Sequence, residues 1–302
     1  MTPDYASLDP LVQTLKKLAE PTRLRLVTLL GHGELTVGEI CRVVGQSQPR
    51  VSRHLRLLAE AGILDRVREQ RCIYYRRPVV GSRAGWLDPL LASLDLEDAA
   101  LQRDQVRLAA VVRDREERAA RELGLGPPVD ENGKQRALAS ALREELGAVP
   151  LGELLDIGTG TGRILKILAA QASRAIGVDR SAPALRLARA RLHGCDLAHC
   201  EFQRGDMYAL PFAAESFDTV TIDGVLTGAE RPAAVLGEAS RVLRRAGRLL
   251  LIEKFADIAA CTRADPQLLV RQWFDATGFT LVRLRQCEIA SVLHLLALGE
   301  RR

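Results

Sequence analysis

The chain has 302 residues, of which 47% are hydrophobic and 27% are charged, as in soluble globular proteins, and its length accommodates two domains of roughly 100 to 200 residues each. No run of about 18 uncharged apolar residues occurs, which argues against a membrane span, and the N-terminus has neither a basic start nor an apolar stretch. We therefore expect a cytoplasmic protein without a membrane partner.

The cysteines and the basic residues narrow the range of partners. No CxxC pair occurs among the six cysteines, so the sequence predicts neither a zinc site nor a disulfide framework. The net charge is only +5, but the segment from Arg42 to Arg83 contains ten arginines against three acidic residues. A local basic excess of this kind is typical of a surface that binds phosphates.

The first elements along the chain are helices. Leucines at 11, 15 and 18 recur at helical spacing, Pro21 begins a second helix, and Thr36 is in position to cap a third. After Gly45, Ser47 is predicted to cap a fourth helix with Pro49 in its first turn. A helix, a short turn and a second helix with an exposed polar start is the helix-turn-helix arrangement.

Two β-prone runs follow within residues 63–77 and surround a charged tip, so we predict a hairpin wing there. Residues 86–123 have the apolar spacing of a helix, and residues 124–133, with two adjacent prolines, are the natural linker. The predicted domains are a winged helix-turn-helix at 1–95, a helical connector and linker at 96–133, and a second domain at 134–302.

The start of the fourth helix carries the side chains that suit DNA. Gln and Arg side chains make bidentate contacts to adenine and guanine edges in the major groove, whereas Ser hydroxyls and further arginines suit phosphates. His54 could serve either surface. The predicted DNA-binding residues are Ser47, Gln48, Arg50, Ser52, Arg53, His54, Arg56 and, on the wing, Arg68 and Arg71.

This part of the sequence resembles the ArsR/SmtB family of winged-helix repressors over roughly residues 8–95. The matching segments are Leu18-Ala-Glu-Pro-Thr-Arg-Leu-Arg-Leu26, residues 46–63 and Tyr74-Tyr75-Arg76. The resemblance implies a homodimer that binds a two-fold related operator in double-stranded DNA. Where metal-sensing members place two cysteines, this chain has Thr36 and Gly38, which supply no thiolate, so we do not expect metal sensing at that place.

The second half of the chain alternates strands and helices. Strands are predicted at 153–157, 174–178, 200–203, 217–222 and 247–253, after a lead-in helix at 135–146, and two apolar segments at 279–285 and 290–297 would close the sheet as a hairpin. This βα repeat predicts an open, mostly parallel, Rossmann-like sheet.

A glycine-rich loop follows the first of these strands, in Leu154-Leu-Asp-Ile-Gly-Thr-Gly-Thr-Gly162. The GxGxG spacing fits the dinucleotide fingerprint GxGxxG poorly. Acids at the ends of successive strands, of which Asp179 is placed to accept the ribose hydroxyls, favour S-adenosylmethionine or S-adenosylhomocysteine as the small nucleoside ligand. The candidate cofactor-binding residues are Asp156, Gly158, Thr159, Gly160, Gly162, Asp179, Arg180, Asp206, Met207 and Asp223.

Residues 134–302 resemble the class I methyltransferase domain, through this loop, Leu210-Pro-Phe212, Phe217-Asp218-Thr-Val and residues 241–251. The resemblance implies a Rossmann-like fold that binds S-adenosylmethionine. No residue has a persuasive position as a general base, so we name no catalytic residue.

Three functions remain open. The first is a transcriptional regulator whose operator binding is modulated by the bound nucleoside. The second is a small-molecule methyltransferase tethered to a DNA-binding domain, and the third is a repressor whose second domain only supports the dimer.

Overall fold

The computed structural model describes residues 8–69, 72–78, 86–95, 97–125, 131–147, 149–195, 199–263 and 265–302. Their internal contacts divide the chain into two compact units. The first comprises residues 1–118 and 189–199, and the second comprises residues 119–188 and 200–302.

The first unit is mainly helical, with one small sheet. Its elements are α1 (Leu8–Leu18), α2 (Pro21–Leu29), β1 (Leu35–Thr36), α3 (Val37–Val44), α4 (Gln48–Glu60), β2 (Asp65–Glu69), β3 (Cys72–Arg76), α5 (Leu87–Ala92) and α6 (Ala99–Glu122), the last of which continues into the second unit. The apolar sides of α2, α3 and α4 form one core, in which Leu26, Ile40 and Leu55 are fully buried.

Local sequence signals define the helix-turn-helix. The Thr36 hydroxyl accepts the Glu39 N–H, and the Glu39 carboxylate accepts the Thr36 N–H at 2.8 Å, which is a capping box. Gly45 ends α3 with a φ of 67°, a conformation that costs glycine little. Ser47 occupies the N-cap position of α4 as predicted, but its side chain makes no capping hydrogen bond, so that part of the prediction was wrong.

The predicted wing is present as the antiparallel pair β2 and β3, and the two-residue strand β1 pairs with β3 to give the order β1-β3-β2. The predicted wing tip at residues 70 and 71 lies outside the described residues. The prediction of one helix over residues 86–123 was wrong in one respect, because the structure has two helices there: α5 ends at Ala92 and α6 begins at Ala99. Asp98 explains the new start, since its carboxylate accepts the N–H groups of Ala100 and Leu101.

The second unit is a sheet with helices. Its elements are α7 (Glu131–Leu146), β4 (Gly152–Ile157), α8 (Arg163–Leu168), β5 (Ala172–Asp179), α9 (Ala182–Leu192, which continues into the first unit), β6 (Cys200–Arg204), β7 (Phe217–Asp223), α10 (Pro232–Val242), β8 (Leu243–Lys254), α11 (Phe255–Cys261), α12 (Pro266–Ala276), β9 (Phe279–Ile289) and β10 (Val292–Arg301).

Seven strands form one sheet in the order β6-β5-β4-β7-β8-β10-β9. The first five are parallel, and the β9–β10 hairpin closes the sheet in antiparallel register, so the predicted hairpin is confirmed. Because the strand order reverses beside β4, the carboxyl ends of β4, β5 and β7 meet at the topological switch point, where open sheets bind ligands.

Candidate functional sites

The start of α4 presents polar and basic side chains to solvent. Ser47, Gln48, Arg50, Arg53 and Arg56 are exposed, whereas Val51, Leu55 and Leu58 on the opposite side are fully buried. Across the described ranges, none of the three arginines forms an ion pair with an acidic side chain. They therefore keep their full charge available for an external anion.

Two of the predicted DNA-binding residues differ from this exposed set. Ser52 is half-buried. The His54 side chain is 17% exposed, and its Nδ1 lies 3.5 Å from Glu20 Oε2, at the start of α2. The structure therefore places the His54 imidazole against the body of the unit, where it does not share the exposed surface of Arg50 and Arg53.

The wing adds further free cations. Arg68 is exposed on β2 and has no ion-pair partner within the described residues. Arg66, which the sequence analysis did not include, is exposed on the same face of the strand, because residues two apart point to one side. This alternation was a usable sequence signal. Arg71 lies outside the described residues.

The segment that replaces the metal-binding cysteines holds a buried ion pair. Arg115 of α6 donates through Nε and Nη2 to the two carboxylate oxygens of Glu39, at 2.7 and 2.6 Å, and also to the Glu34 carbonyl. Burial alone would raise the pKa of Glu39, but the Arg115 guanidinium and the Thr36 hydrogen bonds lower the pKa below its ordinary value. This ion pair therefore connects α3 to α6.

The glycine loop between β4 and α8 is fixed by backbone hydrogen bonds. The N–H groups of Gly158 and Thr159 both donate to the Val178 carbonyl, at 2.8 and 3.0 Å. Gly158, Gly160 and Gly162 have φ values of 71°, 53° and 78°, in the region that favours glycine. The loop therefore adopts a single tight path along the end of β5.

Neighbouring side chains leave no room for a Cβ at two glycines of this region. A Cβ on Gly158 would lie 2.4 Å from Val225 Cγ2, and a Cβ on Gly177 would lie 2.8 Å from Thr159 Oγ1. A Cβ on Gly160, by contrast, would meet only the Gly158 carbonyl, at 3.9 Å. The sequence analysis missed Gly177 and Val225, because their contacts join segments that are distant along the chain.

Asp179, at the end of β5, links the loop to the next helix. One carboxylate oxygen accepts the Gly160 N–H at 2.9 Å, and the other accepts the Ser181 N–H at 2.7 Å. Each oxygen retains a lone pair for a further donor, such as a ribose hydroxyl. The adjacent Arg180 is exposed, and its carbonyl accepts from Arg204 Nε at 3.0 Å.

Asp156 is the most perturbed acid of this edge. Its side chain is buried, its Oδ1 accepts the Thr221 hydroxyl at 2.7 Å, and its Oδ2 has no hydrogen-bond partner among the described residues. Burial raises the pKa of Asp156 to about 7, with Thr159 and Thr221 opposing the rise and Asp223 adding to it. A ligand ammonium group would satisfy the unpartnered oxygen and favour its charged form.

The remaining candidates occupy the loops after β6 and β7. Asp206 is exposed and accepts the Tyr208 N–H at 3.0 Å, while Met207 packs partly buried against the core. Asp223 forms an ion pair with Arg163 at 2.5 Å, between the end of β7 and the start of α8.

A further acid, Glu253, organises the loop after β7. This buried carboxylate at the end of β8 accepts the Leu226 N–H at 2.7 Å and the Thr227 hydroxyl at 2.9 Å. Burial raises the pKa of Glu253. Since Val225 in the same loop lies against Gly158, Glu253 helps to shape the glycine-loop side of the edge. The sequence analysis missed it.

Together these features fit an adenosyl amino acid. The edge offers a buried carboxylate with one oxygen left unpartnered within the described residues, open space beside Gly160, and a carboxylate at the end of β5 for hydroxyls. Within the described ranges, no three His, Cys, Asp or Glu side chains gather closely enough to hold a metal ion. In the same ranges every helix is too short or too polar to span a bilayer.

The fold and these sites define a winged helix-turn-helix domain joined to a Rossmann-like, class I methyltransferase domain. Residues 20–66 match the family model of bacterial regulatory proteins of the arsR family, and residues 155–251 match the methyltransferase domain model. The structure resembles that of the N-methyltransferase NodS from Bradyrhizobium japonicum, solved with S-adenosyl-L-homocysteine, with a TM-score of 0.51 and 21% identity over 62% of this chain and 98% of NodS. That likeness concerns the fold.

Sequence relatives support each half separately. The arsenic resistance transcriptional regulator ArsR1 of Pseudomonas putida is 41% identical over 97 residues, which are 31% of this chain and 73% of ArsR1. A demethylmenaquinone methyltransferase of Clavibacter sepedonicus is 38% identical over 135 residues, which are 43% of this chain and 51% of that enzyme. The chain spans 34% to 56% of the length of other curated relatives that it matches.

The chain therefore belongs to the arsR family through its N-terminal domain, and it carries a methyltransferase domain after it. The predicted family resemblance and fold class are confirmed. An arsR-type helix-turn-helix implies DNA binding.

Proposed function

We propose that this protein is a homodimeric transcriptional regulator whose operator binding changes when S-adenosylmethionine or S-adenosylhomocysteine binds at the carboxyl edge of the β4, β5 and β7 strands. The observation that carries the proposal is that one chain holds two features: arginines on α4 that no acid of the described residues pairs with, and a buried, half-satisfied Asp156 beside a glycine loop. Each feature suits a ligand of opposite charge.

The long helix α6 supports coupling between the two functions. Within the first unit, Arg25 of α2 pairs with Asp104 at 2.7 Å, Arg42 of α3 pairs with Asp114 at 2.7 Å, and Arg115 pairs with Glu39. The same helix continues past residue 118 into the second unit. A ligand that changes the position or order of α6 would therefore act directly on the helix-turn-helix.

The required energy is modest. A ligand shifts operator binding only by the difference between its affinities for the two conformations, and a coupling of about 1 to 3 kcal/mol changes DNA affinity by roughly 5-fold to 150-fold. By reciprocity, bound DNA must change the nucleoside affinity by the same factor.

The decisive experiment is a calorimetric titration of the full chain with each nucleoside, in the absence and presence of promoter DNA. We expect micromolar binding whose affinity changes with DNA. Asp179→Asn should weaken nucleoside binding, whereas Asp275→Asn, a change at an exposed acid on α12, should not. Equal nucleoside affinity with and without DNA would contradict the regulator proposal.

A small-molecule methyltransferase is the second candidate. It is favoured by the match over residues 155–251 and by the loop that Glu253 holds in place beside the glycine loop. Because relatives include demethylmenaquinone methyltransferases, a demethylated quinone is the first acceptor to test. Transfer of a labelled methyl group to it, lost in Asp179→Asn, would establish this function. Absence of transfer to quinones and to a metabolite extract would remove it.

A further inference from the structure

A basic groove lies between α7 and α8 in the second unit. It has a volume of about 500 Å³ and is open to solvent. Three cations, Arg136, Arg143 and Lys166, line it together with Gln135 and Gln171. Ala139 and Ile167 complete the lining, so the groove offers hydrogen-bond donors and positive charge beside a small apolar part.

The three cations of this groove are available to an external anion. Arg136, Arg143 and Lys166 are exposed, and no acidic side chain of the described residues pairs with any of them. Arg285 of β9 behaves differently, because it pairs with both Glu144 and Glu145 of α7. Glu144 and Glu145 are thus engaged with β9 and not with the groove.

The groove is separate from the cofactor edge. Gly162 is the N-cap of α8, beside the carboxyl ends of the strands, whereas Lys166 lies near the end of that helix and Gln171 directly precedes β5. Gln171 also accepts the Leu151 N–H, just before the start of β4. The groove therefore opens near the amino ends of β4 and β5, opposite the glycine loop.

The spacing of the cations favours a repeating anion. Arg136 and Arg143 are seven residues apart on one helix, which places their Cα atoms about 10 Å apart along the axis. Three cations carry more positive charge than one phosphate group neutralises, whereas several backbone phosphates can match it. Helix dipoles account for cations in the last turns, such as Arg143, but not for Arg136, which lies in the first half of α7.

We propose that this groove binds the phosphodiester backbone of double-stranded DNA, as a contact additional to the winged helix. The inference depends on the DNA-binding part of the proposed function and not on nucleoside control. An open groove that is lined by three free cations and has no aromatic side chain suits the sugar-phosphate backbone. The contact would raise affinity without selecting sequence.

The test uses the full chain and a fluorescent duplex of about 40 base pairs, titrated at several salt concentrations. The variant R136Q/R143Q/K166Q should bind DNA at least about tenfold more weakly at low salt. It should also reduce the magnitude of the slope of log K against log[salt] by up to about 2.7, because each lost phosphate contact contributes about 0.9. R245Q/R263Q/R271Q removes the same charge at exposed positions outside the groove and should change the slope by less than one.

Three results would overturn the inference. The groove variant could keep the wild-type salt slope, or the control variant could lose as much affinity as the groove variant. Alternatively, the groove variant could lose binding to vesicles of anionic phospholipid while its DNA affinity stays unchanged, which would assign the groove to a membrane surface. Failure of the wild type to bind any duplex would instead refute the proposed function, so the two failures are distinguishable.

Discussion

The two candidate binding surfaces use charge in opposite ways. The arginines of α4 and two arginines of the wing, Arg66 and Arg68, are exposed and have no acidic partner within the described residues. The acids of the cofactor edge, by contrast, already accept hydrogen bonds from the protein, as Asp179 does from Gly160 and Ser181. Binding to a surface of free charge depends on ionic strength and tolerates small changes in the shape of the surface. Ligand binding at an edge of pre-positioned acids depends on geometry and changes little with salt. The predictions below test this contrast.

The largest expected effect is a loss of folding stability, at the buried ion pair of the first unit. Glu39→Ala leaves Arg115 without its carboxylate partner, and removal of one partner of a buried ion pair costs about 3 to 5 kcal/mol. We expect a strongly lowered denaturation midpoint for the DNA-binding domain. The double variant Glu39→Met/Arg115→Met removes both charges and should recover much of that stability. If the single and double variants unfold alike, the ion pair is not what joins α3 to α6.

The next effect tests geometry at the cofactor edge. Gly158→Ala places a Cβ 2.4 Å from Val225 Cγ2 at a φ of 71°, so the loop must move. We expect nucleoside affinity to fall by about 100-fold, or about 2.7 kcal/mol, while DNA affinity without nucleoside is retained. Gly194→Ala is the matched control, because its φ of 77° is similar but its Cβ would meet nothing within 4 Å. Unchanged calorimetric binding by Gly158→Ala would show that the edge tolerates a change of shape.

The third prediction tests the free charge of α4. Arg50→Ala should weaken DNA binding by about 1 to 3 kcal/mol, and with loss of selectivity if Arg50 contacts a base. Arg42→Ala is the control on α3, because Arg42 already pairs with Asp114. Selection from random duplexes separates the two roles of Arg50. Equal losses of DNA affinity in the two variants would mean that the lack of an acidic partner does not identify an arginine that contacts DNA.

The smallest effect concerns pH. Because burial raises the pKa of Asp156 to about 7, its ionised fraction rises from about a tenth at about pH 6 to about nine tenths at about pH 8. If the ligand ammonium binds the ionised form, nucleoside affinity should rise roughly tenfold over that range. Asp156→Asn should remove this dependence. If the nucleoside affinity of the wild type does not change with pH over this range, ionisation of Asp156 does not contribute to ligand binding.

The same shift has an opposite consequence for the free protein. The folded state binds the Asp156 proton more tightly than the unfolded chain, whose carboxyl has an ordinary pKa near 3.9. Folding stability from this group is therefore present at low pH and falls as pH rises toward 7. Thermal unfolding of the second domain without ligand, compared with Asp156→Asn, checks the sign. A wild-type domain that gains stability over that range relative to the variant would contradict it.

Local signals predicted the helices and strands well. Thr36 three residues before Glu39 indicated a capping box, and the apolar spacing of α4 identified its buried side, because both depend on residues within one or two turns. The break before Asp98 and the short strand β1 were missed. β1 exists only because Leu35 and Thr36 meet Tyr75 and Tyr74 of the wing, and such pairing leaves no local pattern.

The candidate cofactor residues were predicted from glycine spacing and from acids at strand ends, which are properties of the chain itself. Residues that shape the edge from a distance were not predictable. Gly177 has no side chain because Thr159 occupies that space, and Glu253 holds a loop nearly thirty residues before it. Nothing in the local sequence separates Glu253 from an ordinary exposed glutamate.

By itself, the sequence determined that a winged helix-turn-helix precedes a Rossmann-like methyltransferase domain, because periodicity, caps and glycine spacing are encoded over short stretches. Only the tertiary structure decided which charges are available. Arg115 and Arg50 are the same residue type, yet one is buried against Glu39 and the other is exposed, with no acidic partner in the part of the chain that the structure describes. Charge becomes functional or structural according to the neighbours that folding supplies, and those neighbours come from remote parts of the chain.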